Sequence, residues 1–329
     1  LTWGVLDALL EDGKWCLDGI SGTSAGAMNA MAVAHGFAQA ALQHTDAQDA
    51  HAAGCAQARK TLARFWEGVG TLGSLMWGVP TGNANPWAAV MAQWFSPYQT
   101  NPLGINPLRS LLEREIDFSA IAAVQKGKGK APLSAMPKVF VCATNVRTGR
   151  GEIFSGSRLS ADAVMASACL PLVFKAVEIK GDYYWDGGYS GNPALYPLIY
   201  QTNACDILLV QINPIEHTDL PDTAAEIMDR INEVTFNASL LGELRAIDFV
   251  RRLLAQGKLD PGRYKSVRMH RIDGGAALHG YGPDTKMRAD IVQLTTLFAR
   301  GRDAARQWMS DHRADVGVQS TLHLGENRS

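Results

Sequence analysis

Two short stretches hold side chains that could do chemistry together. "DGISGTSAGAMNA" places Ser24 between Gly22 and Gly26, and "YYWDGGYSGNP" places Asp186 ahead of Gly187 and Gly188. A G-x-S-x-G serine is a nucleophile where a strand turns sharply into a helix and leaves the hydroxyl exposed. Small residues two positions to either side let the backbone make that turn. The helix start then aims N–H groups and a positive dipole end at the reacting carbonyl, and the Ala25 N–H would be one such donor. A serine hydroxyl also needs a base to take its proton. Asp186 sits at a strand end, and the two glycines after it permit close backbone approach. Such a carboxylate can serve as the base when partly desolvated and within hydrogen-bond reach. Taken singly, each motif has a plainer reading: a small-residue helix start for the first, a turn for the second.

The flanking elements fit the first reading. Leu1, Val5, Leu6, Leu9 and Leu10 fall on one helical face, and Gly13 is a suitable stop. "WCLDGIS" reads as a strand, and from Ala25 the Ala- and Met-rich sequence reads as a helix ending at Gly36. Residues 37–60 read as helical with a loop near His44 to Gly54. Phe65 to Pro107, where tryptophans mix with prolines, reads as an irregular lid or insertion that could wall an acyl pocket.

Further on, "KVFVCATNV" and "EIFSG" read as paired strands around the turn "RTGRG", and "SADAVMASACLPLVF" as a helix capped by Ser160 and stopped before Pro171. "AVEIKGDYYWDGGYSGNP" reads as a hairpin running into a Gly-rich loop, and "CDILLVQINP" as a core strand. Two long amphipathic stretches, 223–256 and 289–313, flank a strand candidate, "YKSVRMHRI". Helices alternating with short buried strands imply an α/β fold whose mainly parallel sheet is covered on both faces.

Composition narrows the function classes. The formal net charge of −1 provides no field to attract nucleic acid. The five cysteines include no C-x-x-C pair, and the histidines show no metal-ligand spacing, so neither a metal nor another cofactor is expected. No apolar run reaches the roughly 18–20 residues of a membrane span. The expected location is cytoplasmic, with peripheral membrane contact where the substrate is a lipid.

Both motifs together resemble the patatin-like phospholipase family. "DGISGTSAGAMNA" is similar to its elbow, and "SACLPLVFKAVEIKGDYYWDGGYSGNP" to its second block. "NPLRSLL" and "FVCATNVRTG" extend the match, which covers roughly residues 1–215. The resemblance implies a three-layer fold with a catalytic domain over 1–215 and a mostly helical C-terminal extension over 216–329. It implies a Ser24–Asp186 dyad that works without histidine, an acyl-serine intermediate, and a lipid or other acyl ester as substrate. The family carries a Gly-rich loop, which supplies most of the oxyanion hole, and a strand ahead of it, both preceding the helix that here begins at Leu1. The sequence shows neither, and we expect its N-terminal segment to be missing.

Two alternatives stay open. His279, in the Gly-rich "GGAALHGYG" loop, could serve a Ser-His-Asp esterase acting on soluble esters. An inactive lipid-binding scaffold would keep the elbow without turnover.

Overall fold

The computed structural model describes residues 1–77, 106–132, 135–171, 174–212, 215, 220–274 and 291–322. Helix α1 (Thr2–Asp12) buries Val5, Ala8, Leu9 and Leu10, and ends at Gly13, whose φ of 68° lets its N–H return to the Leu9 carbonyl. Strand β1 (Gly19–Gly22) starts later than "WCLDGIS" suggests, and Ser24 then opens helix α2 (Ala25–Gln43).

Helix α2 does not stop at Gly36. Helix α3 (Ala47–Trp77) crosses it there, and a Cβ on Gly36 would lie 2.2 Å from the Ala58 nitrogen. Gly36 is therefore a point of backbone contact between helices and not a terminator. The loop expected over His44 to Gly54 shrinks to residues 44–46, where the Asp46 carboxylate accepts the Gln48 and Asp49 N–H groups and starts α3. Phe65–Trp77 is helical too, contrary to the irregular reading. The remainder of the Trp/Pro stretch, residues 78–105, lies outside the described residues, and the lid expectation lies there with it.

Helices α4 (Pro107–Glu115) and α5 (Phe118–Gln125) are capped by Asn106 and Asp117. Strand β2 (Lys138–Asn145) is the hub of the sheet. It runs parallel to β1, from Gly19↔Lys138 to Gly22↔Val141, and antiparallel to β3 (Gly151–Ser155). Beyond the end of β1 it pairs antiparallel with β5 (Asp182–Asp186), which forms a hairpin with β4 (Val177–Ile179). Helix α6 (Ala161–Ser167), N-capped by Ser160, lies between β3 and that hairpin in sequence.

After helix α7 (Tyr196–Gln201), strands β6 (Asp206–Gln211) and β7 (Arg268–Asp273) form a second parallel ladder. Between them runs α8 (Ala224–Ala255), begun by a capping box of Thr223 and Glu226. Helix α9 (Ile291–His312) then packs on α1, close enough that a Cβ on Gly301 would lie 2.1 Å from the Leu1 carbonyl oxygen. The result is an α/β fold with helices over parallel strands and a helical C-terminal region. Its largest apolar cluster joins α2, α3 and β2. A second joins Leu195, Ile207, Leu209, Leu240 and Met269, and so fixes α8 to the β6–β7 ladder. No helix among the described residues is long and apolar enough to cross a membrane.

Candidate active site

Ser24 stands between β1 and α2 with φ 54° and ψ −121°. A non-glycine residue in such a conformation costs on the order of 1–3 kcal/mol and persists only where its surroundings hold it. Here a set of hydrogen bonds does so. The Ser24 N–H donates to Ser167 Oγ at 2.9 Å, and the Gly26 N–H to the Thr23 carbonyl at 2.8 Å. The Thr23 hydroxyl donates to the Gly191 carbonyl at 2.6 Å, and the Ser21 hydroxyl to that of Ala194 at 2.5 Å. These last two bonds tie the elbow to the loop that follows Asp186.

Ser24 caps α2 by position, yet its hydroxyl makes no capping hydrogen bond and stays free for other work. The Ala25 N–H, exposed at the helix start, has no hydrogen-bond partner among the described residues. The two elbow glycines differ. A Cβ on Gly22 would lie 2.3 Å from the Gly26 carbonyl oxygen, so only glycine fits there. A Cβ on Gly26 would meet nothing within 4 Å. The expectation that both must be small for steric reasons therefore holds at Gly22 alone.

Asp186 ends β5 opposite Ala143 and is 1% exposed. Its backbone is held on both sides: its N–H donates to the Cys169 carbonyl at 2.7 Å, and its own carbonyl accepts the Thr144 hydroxyl at 2.8 Å. Oδ1 accepts the Gly188 N–H at 2.7 Å, whereas the buried Oδ2 has no hydrogen-bond partner. Burial pushes the carboxyl up to about 6, opposed by the Gly188 N–H and, more weakly, by the Ser24 hydroxyl. Ser24 is thus near enough to be felt, although the pair makes no hydrogen bond of ordinary geometry. Catalytic hydrogen bonds in free enzymes are often long and tighten only around the substrate. A Cβ on Gly187 would lie 2.1 Å from the Cys142 carbonyl oxygen, and one on Gly188 3.0 Å from Asp186 Oδ1, so the Asp-Gly-Gly glycines are what let the loop close against β2.

Ser24 and Asp186 face a cavity of about 700 Å³ whose apolar wall includes Leu195, Ile207, Leu209, Phe236 and Leu240. It runs between β1 and β6. Among the described residues neither of these strands pairs on the edge turned to the cavity, so backbone polar groups line it as well.

None of the described histidines hydrogen-bonds to Ser24 or Asp186. His270 reaches the cavity wall but is 1% exposed, with its nitrogens engaged by Thr321 Oγ1 at 3.1 Å and Asp206 Oδ1 at 3.0 Å. Chiefly Arg268 holds the Asp206 carboxyl well below the ordinary range. His217, His279 and His323 lie outside the described residues. No group of three His, Cys, Asp or Glu side chains suited to a metal ion occurs among the described residues.

Sequence reading did not single out the hydroxyls of Ser21, Thr23, Thr144 and Ser167. Ser167, fully buried, lies 143 positions from the serine whose N–H it accepts. No local pattern marks such a pairing.

A strand, a strained serine and a helix within an α/β fold define a protein of the serine-elbow kind. The patatin-like phospholipase family profile matches residues 1–199. The chain belongs to that family. Among solved structures it is similar to VipD from Legionella pneumophila, at 16% identity and a TM-score of 0.36, over 94% of this chain and 64% of VipD. It thus spans less than two thirds of that protein's length. No curated protein sequence matches it.

Proposed function

We propose that the protein is a lipid acyl hydrolase of the phospholipase A or lysophospholipase type, in which Ser24 is acylated and Asp186 is the base. The observation that carries this reading is the buried, unpartnered Oδ2 of Asp186 beside a serine held in a strained elbow. The Ser24 Oγ attacks the ester carbonyl carbon while its proton passes to Asp186, and the Ala25 N–H donates to the developing oxyanion. As the carbon–oxygen bond to the alcohol breaks, Asp186 returns the proton to the departing oxygen. Water then attacks the acyl-serine carbonyl as Asp186 takes its proton, and Asp186 returns that proton to Ser24 Oγ as the fatty acid leaves. The apolar cavity wall next to Ser24 suits an acyl chain. Peripheral contact with a membrane would bring a lipid substrate to it.

A fluorophosphonate probe is expected to label the protein at Ser24, with the modified peptide identified by mass spectrometry. An intact, folded protein that never labels would turn the reading to a scaffold that binds lipid without turnover. That the Ala25 N–H is the one oxyanion donor identified among the described residues is the observation on that side. The rate of labelling should also rise with pH through about 6, because Asp186 must lose its proton to act as a base. A flat profile between pH 5 and pH 8 would remove Asp186 from that role.

A further inference from the structure

We propose that Glu243, on a helix beyond the family-matched residues, is a positioning residue that holds the Asp186 loop in register with Ser24. The proposal rests on the reading of Asp186 as the base. The loop leaves β5 at Asp186, turns through Gly187–Tyr189 as a short 3-10 helix, and reaches α7 at Tyr196. Its start is fixed by β2 and by Cys169, and its middle and end by the Thr23 and Ser21 hydroxyls on Gly191 and Ala194. Both of these hydroxyls donate, and a hydroxyl can rotate to follow a small shift of its acceptor carbonyl.

Glu243 adds what they lack. One carboxylate oxygen, Oε2, accepts the N–H of Leu195 at 2.9 Å and that of Tyr196 at 2.7 Å. Leu195 itself provides no side-chain cap for α7, so Glu243 supplies the acceptor from 48 residues away. The carboxyl is half-buried and made less acidic by that burial, with the same two N–H groups opposing the change. About two turns earlier on α8, Phe236 packs edge-on to Tyr189, with ring centroids 5.1 Å apart, and sits 3.0 Å from where a Gly188 Cβ would be. Gly188 is the residue whose N–H holds Asp186 Oδ1. Helix α8 therefore grips both ends of the loop: Phe236 behind the Asp186 end, Glu243 at the α7 end. Loss of the Glu243 acceptor would free the Leu195 and Tyr196 amides and loosen the loop's spacing to the elbow.

The test compares Glu243→Met, which keeps volume but has no strong acceptor, with Glu243→Gln, which keeps an acceptor oxygen without the charge. Fluorophosphonate labelling of Ser24 should slow roughly 10- to 100-fold in Glu243→Met, the scale expected for a small displacement of a reacting group. Glu243→Gln should recover most of that loss. Amide exchange over residues 187–195, followed in the same variants, should quicken in Glu243→Met and not in Glu243→Gln. Labelling of Glu243→Met at the wild-type rate would overturn the proposal, and so would a Gln variant as slow as the Met variant. Should Glu243→Met fail to fold, wild-type exchange decides: slow exchange at the Leu195 and Tyr196 amides supports the clamp, and free exchange overturns it. A wild-type protein that does not label refutes the hydrolase reading instead, while amide exchange still reports whether Glu243 holds the loop.

Discussion

Asp186→Asn should give a protein that is nearly inactive yet harder to unfold above pH 6. Removing a general base typically costs 10²- to 10⁴-fold, and labelling of Ser24 should fall by about that much. The stability change has the opposite sign. Asp186 in the folded chain holds its proton up to about 6, against an ordinary value of 3.8. Between those values the folded state binds more protons than the unfolded state. Folding is therefore favoured at low pH, and that contribution disappears as pH rises through 6. Well above pH 6 the buried charge costs the wild type on the order of 3 kcal/mol relative to a group that need not ionise.

Asparagine keeps the oxygen that accepts the Gly188 N–H, and carries no charge. It should therefore melt a few degrees higher than wild type at pH 8, with the difference narrowing toward pH 5. Thermal unfolding of both proteins at the two pH values measures this. A variant less stable than wild type at pH 8 would mean that the unpartnered Oδ2 does not destabilise the fold. A charge kept at a thermodynamic loss is what a catalytic base in a low-dielectric site requires.

Most elements were legible because they carried their own local signal, whereas α3 was read in part as loop and in part as irregular chain. Ser160 ahead of α6, Gly13 after α1 and the Lys180–Gly181 turn between β4 and β5 all act within a few residues. Reading failed where a residue's role is set by a distant neighbour. Gly36 looks like a helix terminator in sequence; it is instead the point where α3 touches α2 through the backbone of Ala58. The site divides the same way. Ser24 and Asp186 stand in motifs whose glycines are visible, but their mutual approach depends on Thr23, Thr144 and Ser167, ordinary hydroxyl residues that gain meaning only after folding. Glu243 is further out of reach, since an amphipathic helix shows which face is apolar but not which carboxylate will find the start of another helix.

Gly187→Ala and Gly26→Ala should separate sharply, although each replaces a motif glycine with the smallest possible side chain. At Gly187 the new methyl group would lie 2.1 Å from the Cys142 carbonyl oxygen and 2.9 Å from the Thr23 methyl. The first of these belongs to the backbone of β2, at the centre of the sheet, and cannot swing aside as a side chain would. Either β2 shifts or the loop lifts away, and Asp186 moves with it. Strain and overpacking of this kind cost about 1–3 kcal/mol or more, and labelling of Ser24 should be lost along with the stability. At Gly26 nothing beyond its chain neighbours and its own helix backbone lies within 4 Å of the added carbon. Alanine in the first turn of α2 also lowers the entropy of the unfolded chain, so this variant should melt at or slightly above the wild-type temperature. Thermal melts with labelling of the two variants side by side measure the contrast. A Gly187→Ala protein that melts and labels like wild type would show that the loop does not need its close approach to Cys142, and the placement of Asp186 argued from that approach would fall with it.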